Sequence, residues 1–229
     1  MNTCRSMINK LFSRRSQHIL KHVEAVCLDF DSTIVRQEGI DELARLKGLT
    51  EEVHKITRDT MDGKIPFDKS LTERLKLINP SLYDIENLNR YNIFSLSKNV
   101  DLFIDNLQSR GVDVYVISGG LRQLILPVTR TLNIPDNNVY ANTILFNDRG
   151  EYNGIEDNIL TKNYGKTTQI IELINKHQYD SIIMIGDGQT DLETKSVVDM
   201  FIGYGGVVER PIMKKHCENY ITDFVVLIS

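Results

Sequence analysis

The stretch VCLDFDSTIVRQEGIDEL, residues 26–43, decides the fold. A near-continuous apolar run ends in two aspartates one residue apart, Asp29 and Asp31. Ser32 and Thr33 follow, and then a charged segment that favours a helix. A short apolar run bounded by polar residues reads as a buried strand. The aspartates at its end have two readings. Asp31 caps the element that follows, or both carboxylates form an acidic site where a sheet ends.

Similar runs recur further along the chain: VDVYVIS (112–118), SIIMIG (181–186) and DMFIG (199–203), besides EAVCLDF (24–30). Helical patterns lie between the later ones, LRQLILPVTRTLN (121–133) and GKTTQIIELINKH (165–177), and Pro127 is expected to kink or shorten the first. Strands alternating with helices predict an α/β fold, a Rossmann-like core with a mainly parallel sheet. NVYANTILFND and EYNGI, turning at Asp148-Arg149-Gly150, predict a hairpin attached to that sheet. Residues 40–97 differ, with helical periodicity and almost no strand signal. Ile40, Leu43, Ala44 and Leu46 are expected on one helix face, and Leu71, Leu75 and Ile78 on another. The expected organisation is therefore a basic extension (1–23), an α/β core (24–39 and 98–229) and a small helical-bundle cap (40–97) inserted after the first strand.

The bulk composition narrows the function. With 41 % hydrophobic and 25 % charged residues, the 229-residue chain matches an ordinary globular protein. Its net charge of −4 argues against nucleic-acid binding, and no apolar run is long enough to span a membrane. Cys4, Cys27 and Cys217 are too few and too scattered for a disulfide framework, so a reducing compartment is expected. The first 23 residues carry Arg5, Lys10, Arg14, Arg15 and Lys21 and no acid. This fits a cytoplasmic protein with a basic helix packed on the domain, or an organelle-targeting segment. A homodimer is left open as its assembly.

Polar and glycine residues collect at the carboxyl ends of the strands: DFDST, SGG, GDGQTD and GYGG. Open α/β sheets bind ligands at those ends, and this chemistry suits a phosphate ester. Asp29 is the candidate nucleophile and Asp31 the acid/base. Asp187 would complete a Mg²⁺ site that lets a carboxylate approach a phosphate. Ser118 and the amides of Gly119 and Gly120 could bind phosphate oxygens, with Lys166 adding a fixed positive charge. Taken singly, Lys166 reads as a solvated helix residue, and Glu38 as a charge at a helix start. Arg74 by itself reads as an intrahelical or solvent-facing charge.

The four motifs in order, DFDST, ISGG, Lys166 and GDGQTD, resemble the haloacid dehalogenase-like phosphatases. DSTIVRQEGIDELA, PFDKSLTERLKLINPS, FIGYGG and YITDF extend the resemblance to the phosphoserine phosphatases, over about residues 24–224. The resemblance implies hydrolysis of O-phospho-L-serine to L-serine and phosphate through an aspartyl phosphate on Asp29, the last step of serine biosynthesis. It implies Mg²⁺ on the carboxylates of Asp29 and Asp187 and on the backbone carbonyl of Asp31, oriented by Asp191. Ser118, Gly119, Gly120 and Lys166 would bind phosphate, with Thr190 in the polar network beside it. Glu38 would read the substrate ammonium and Arg74 its carboxylate, while Met61, Asp62 and Phe67 line the pocket. Asp62 stands where the family usually has glycine, and Gln189 where it usually has a small residue. The alternative is a related phosphatase or phosphotransferase acting on another small phosphomonoester. A ligand sensor on a decayed scaffold would have lost one of these residues, and all are present.

Overall fold

The computed structural model describes residues 12–61, 64–65 and 67–228. Six parallel strands form one sheet in the order β3-β2-β1-β6-β7-β8. They are β1 (Ala25–Leu28), β2 (Asp113–Leu121), β3 (Val139–Asn142), β6 (Ile182–Gly186), β7 (Met200–Tyr204) and β8 (Asn219–Ile221). Successive strand residues alternate between two apolar layers. Val26, Leu28, Val114, Val116, Ile183 and Ile185 face one; Ala25, Cys27, Tyr115, Ile117, Ile182 and Met184 face the other. Burial on both faces is why these strands read as unbroken apolar runs. From β1 the chain runs outward to β2 and β3, then returns to β6 on the other side of β1. That reversal opens a crevice at the carboxyl ends of β1 and β6.

Several details differ from the sequence expectation. NVYANTILFND is not one hairpin strand. Its first part is β3, an edge strand parallel to β2. Its second part is β4 (Ile144–Phe146), which pairs antiparallel with β5 (Tyr152–Ile155). The break falls where Gln123 takes over: its side chain accepts from Ile144 N–H and donates to Ile144 O. The short strand β8 had no recognisable apolar run. Pro127 lies inside an uninterrupted helix, α7 (Arg122–Thr131).

The segment after β1 is helical as expected: α2 (Gly39–Leu46), α3 (Thr50–Met61), α4 (Phe67–Ile78) and α5 (Leu82–Arg90). Leu43, Ala44, Leu75 and Ile78 are buried, and Ile40 and Leu71 pack against that core. Leu46 is 42 % exposed, because two residues beyond Ala44 the helix has rotated off its apolar stripe. Entry and exit of the segment are tied together. Val35 bridges Leu96, Arg36 N–H donates to Ser95 O (2.9 Å), and Ser97 N–H donates to Ile34 O (2.9 Å). The basic N-terminal stretch supplies α1 (Arg14–His22), capped by Ser13. Phe12 and Val23 at its ends are buried, and Arg110 donates to the carbonyls of Leu20 and Lys21. The chain continues through α6 (Val100–Ser109), α8 (Gly165–His177), α9 (Gln189–Leu192) and α10 (Pro211–His216). No helix among the described residues is long and apolar enough to cross a membrane.

Candidate active site

After β1 the backbone leaves the extended conformation in a wide turn, Phe30–Ile34, with Ser32 left-handed at φ 53°. This turn sets Asp29 and Asp31 on the same cavity. Asp29 Oδ1 accepts from Phe30 N–H (2.7 Å) and pairs with Lys166 Nζ (2.9 Å). Asp31 Oδ1 accepts from Gly39 N–H (2.8 Å) at the start of α2, so the capping role read from sequence is real. Burial first, then the charges of Glu38 and Asp29, push Asp31 well above the usual carboxylate range. That shift favours a protonated carboxyl able to donate.

Lys166 is not a solvated helix residue. It is 7 % exposed, in the first turn of α8, and Nζ also donates to Asp191 Oδ1 (2.6 Å). Burial alone would depress its pKa, but Asp191 and Asp29 outweigh it and hold the ammonium above its ordinary value. Asp187 follows β6. Its Oδ2 accepts from Arg210 Nε (2.9 Å), and Thr33 Oγ1 reaches Oδ1 at 3.5 Å. Burial first, and then Asp29, raise the Asp187 pKa.

Ligand oxygens of Asp29, Asp187 and Asp191 lie within 4.8 Å of one another. Three buried carboxylates this close repel one another, and a hard dication with oxygen ligands suits such a set. Asp191 has both oxygens engaged, with Oδ2 accepting from Gly188 N–H (2.9 Å). It is therefore better placed to orient Lys166 and the loop than to bind an ion directly.

These groups surround a cavity of about 240 Å³. Ser118, Gly119, Gly120 and Thr190 line it, together with Glu38, just before α2, and Arg74 from α4. Gly120 N–H donates to Ser118 Oγ (2.9 Å). Glu38 accepts from Ser32 Oγ (2.6 Å) and lies 4.0 Å from Arg210. Arg74 Nε donates to Ser70 O (3.2 Å). Burial tends to discharge Arg74, opposed by Asp41, Glu38 and Asp31. The side chains of Met61 and Phe67, and all of Asp62, lie outside the described residues. Gln189 is exposed and does not line the cavity.

Sequence reasoning missed Arg210 and Asn142, both of which line the cavity. Each had a signal. Asn142 is the polar end of an apolar strand, and Arg210 follows GYGG and precedes Pro211 at a helix start.

Parallel sheet, switch-point crevice and acid–lysine cluster define a class, and residues 23–194 match the family model of the haloacid dehalogenase-like hydrolases. The chain belongs to that family. It is 43 % identical to the phosphoserine phosphatase of Homo sapiens over 207 residues, covering 90 % of this chain and 92 % of that protein. Among solved structures, it matches a phospho-aspartyl intermediate analogue of phosphoserine phosphatase with a TM-score of 0.75 and 27 % identity, over 87 % of this chain and 93 % of that one. It also matches DsGPDH of Dunaliella salina with a TM-score of 0.82 and 30 % identity, over 94 % of this chain but 37 % of that one.

Proposed function

We propose that this chain is a Mg²⁺-dependent phosphatase that hydrolyses O-phospho-L-serine to L-serine and phosphate, the last step of serine biosynthesis. The observation that carries the reading is the buried Asp29–Lys166–Asp191 chain beside Asp187, with Glu38 and Arg74 on the same cavity. Residues 40–97 act as a cap that supplies Arg74, while Glu38 stands at its entry, just before α2. A guanidinium suits a carboxylate and a carboxylate suits an ammonium, so an amino-acid zwitterion accounts for both.

Lys166 and the Phe30 amide occupy Oδ1 of Asp29, which leaves Oδ2 as the attacking oxygen. As the bond from Oδ2 to phosphorus forms and the ester P–O bond breaks, Asp31 gives its proton to the seryl oxygen. Ser118 and Lys166 hold the phosphoryl oxygens, and Thr190 contributes to the polar wall. Asp31, now a carboxylate, takes a proton from the attacking water, and the aspartyl phosphate opens to phosphate and free Asp29. A Mg²⁺ ion held by Asp29, Asp187 and the Asp31 carbonyl would screen the repulsion between nucleophile and phosphate. Free Cys27 and Cys217 support a reducing compartment, the cytoplasm or an organelle reached through the basic first residues.

The test is phosphate release, with and without Mg²⁺, from L- and D-phosphoserine, phosphothreonine, phosphoethanolamine and a sugar phosphate. L-phosphoserine is expected to be preferred. Arg74→Ala should raise its KM by about 10- to 100-fold and change that for p-nitrophenyl phosphate little. Equal losses on both substrates would remove the amino-acid pocket from the reading.

A further inference from the structure

We propose that Asn142 is a positioning residue for the phosphate seat, acting through the Gly119–Gly120 peptide. The inference rests on Ser118–Gly120 being that seat, whatever the alcohol of the substrate.

The argument begins with the register between β2 and β3. Val116 pairs with Val139 and Ile117 with Tyr140, but the next pair is Leu121 with Asn142. Four steps along β2 match two along β3, so Ser118, Gly119 and Gly120 bulge out of the ladder. A bulge leaves backbone groups without ladder partners. Here the Gly119 carbonyl accepts from Asn142 Nδ2 at 2.8 Å. On the other edge of the same peptide, Gly120 N–H donates to Ser118 Oγ at 2.9 Å. A planar trans peptide bonded at both edges cannot rotate. With Ser118 Oγ already accepting, its own proton is directed to another acceptor, as a phosphate oxygen in the cavity would be.

Asn142 is a poor choice for the fold alone. It is fully buried at the end of β3, and among the described residues its Oδ1 has no hydrogen-bond partner. A buried carbonyl left unpaired is destabilising, whereas an apolar residue here would carry no such cost. Flipping the amide would set Oδ1 against the Gly119 oxygen, so the orientation is fixed by the loop. An acceptor cannot bind a phosphate oxygen directly. The useful atom is therefore Nδ2, and its effect reaches the ligand through the peptide it holds. Gly120 lies against Asp31: a methyl on it would sit 2.6 Å from Asp31 Oδ2. The pinned peptide thus sets the phosphate seat and the proton carrier in one geometry.

The experiment measures competitive inhibition by inorganic phosphate, with p-nitrophenyl phosphate as substrate, in the full chain with Mg²⁺. Phosphate is common to every phosphomonoester, so the result does not depend on phosphoserine being the substrate. Asn142→Asp keeps the shape but replaces the donor with an acceptor facing Gly119 O, and Asn142→Ser shortens the side chain. Both variants are expected to stay folded, with the Ki for phosphate and the KM raised about ten-fold or more, more in Asn142→Asp. Mg²⁺ half-saturation should stay within about two-fold of the parent. A wild-type Ki in both folded variants overturns the proposal, as does a lowered kcat with unchanged Ki. Unfolding of both variants also overturns it, because the residue would then be a structural one.

Discussion

At Asp31, one oxygen holds the Gly39 amide and so anchors the start of α2, while the other borders Gly120 in the cavity. The helical segment is thereby tied to Asp31 by a bond only eight residues long in sequence. Glu38, the last residue before α2, shares this environment. Burial first pushes its pKa up to about 7, against the hydrogen bond from Ser32, which lowers it. An ammonium is bound by the charged form, and that form is lost as pH falls through 7. For phosphoserine, kcat/KM should therefore drop about ten-fold per pH unit below 7, while that for p-nitrophenyl phosphate follows only the groups common to both. Glu38→Gln should abolish the difference between the two profiles. Identical profiles in the parent enzyme would remove Glu38 as the ammonium reader.

At the scale of elements, α7 and α8 show how a local rule is met or overridden by neighbours. Pro127 lacks the N–H that would bond the carbonyl four residues earlier. That carbonyl, on Gln123, accepts instead from Asn89 Nδ2 at 3.0 Å, a donor from α5. The helix continues because a residue distant in sequence supplies the partner. At the start of α8, Gly165 packs against the turn before it. A methyl there would overlap the Ile159 carbonyl and lie 2.8 Å from Leu160 Cα. Backbone cannot yield as a side-chain tip can, so Gly165→Ala should cost about 2–3 kcal/mol in urea unfolding. It should also lower kcat by displacing Lys166. A variant with parental stability and turnover would contradict that packing.

Across the whole molecule, Asp29, Asp31, Asp187, Asp191 and Glu38 line one cavity with Lys166, Arg74 and Arg210. The excess of acids predicts that Mg²⁺ stabilises the fold by binding only the native state. At a hundred times Kd the gain is about 2.7 kcal/mol, a rise in Tm of about 5–10 °C for a chain of this length. EDTA should reverse the rise and Asp187→Asn should remove most of it, as read by thermal unfolding. A Tm indifferent to millimolar Mg²⁺ would contradict the metal reading.

Residue type and order by themselves determined the parallel α/β core, because strands buried on both faces must be apolar throughout and end in polar groups. They also determined Asp29, Asp31, Asp187 and Lys166 as a set, since each lies where a strand ends or a helix begins. Only the tertiary structure decided the rest. Whether Lys166 is solvated or buried depends on Asp29 and Asp191, from two other segments. The split of residues 138–148 depends on Gln123, and the tolerance of Pro127 on Asn89. Arg210 and Asn142 joined the site through contacts 23 residues away in sequence, with Asp187 and Gly119. Periodicity records which face of an element is buried. It does not record which distant partner meets a polar atom, and in this protein those partners set the geometry of the site.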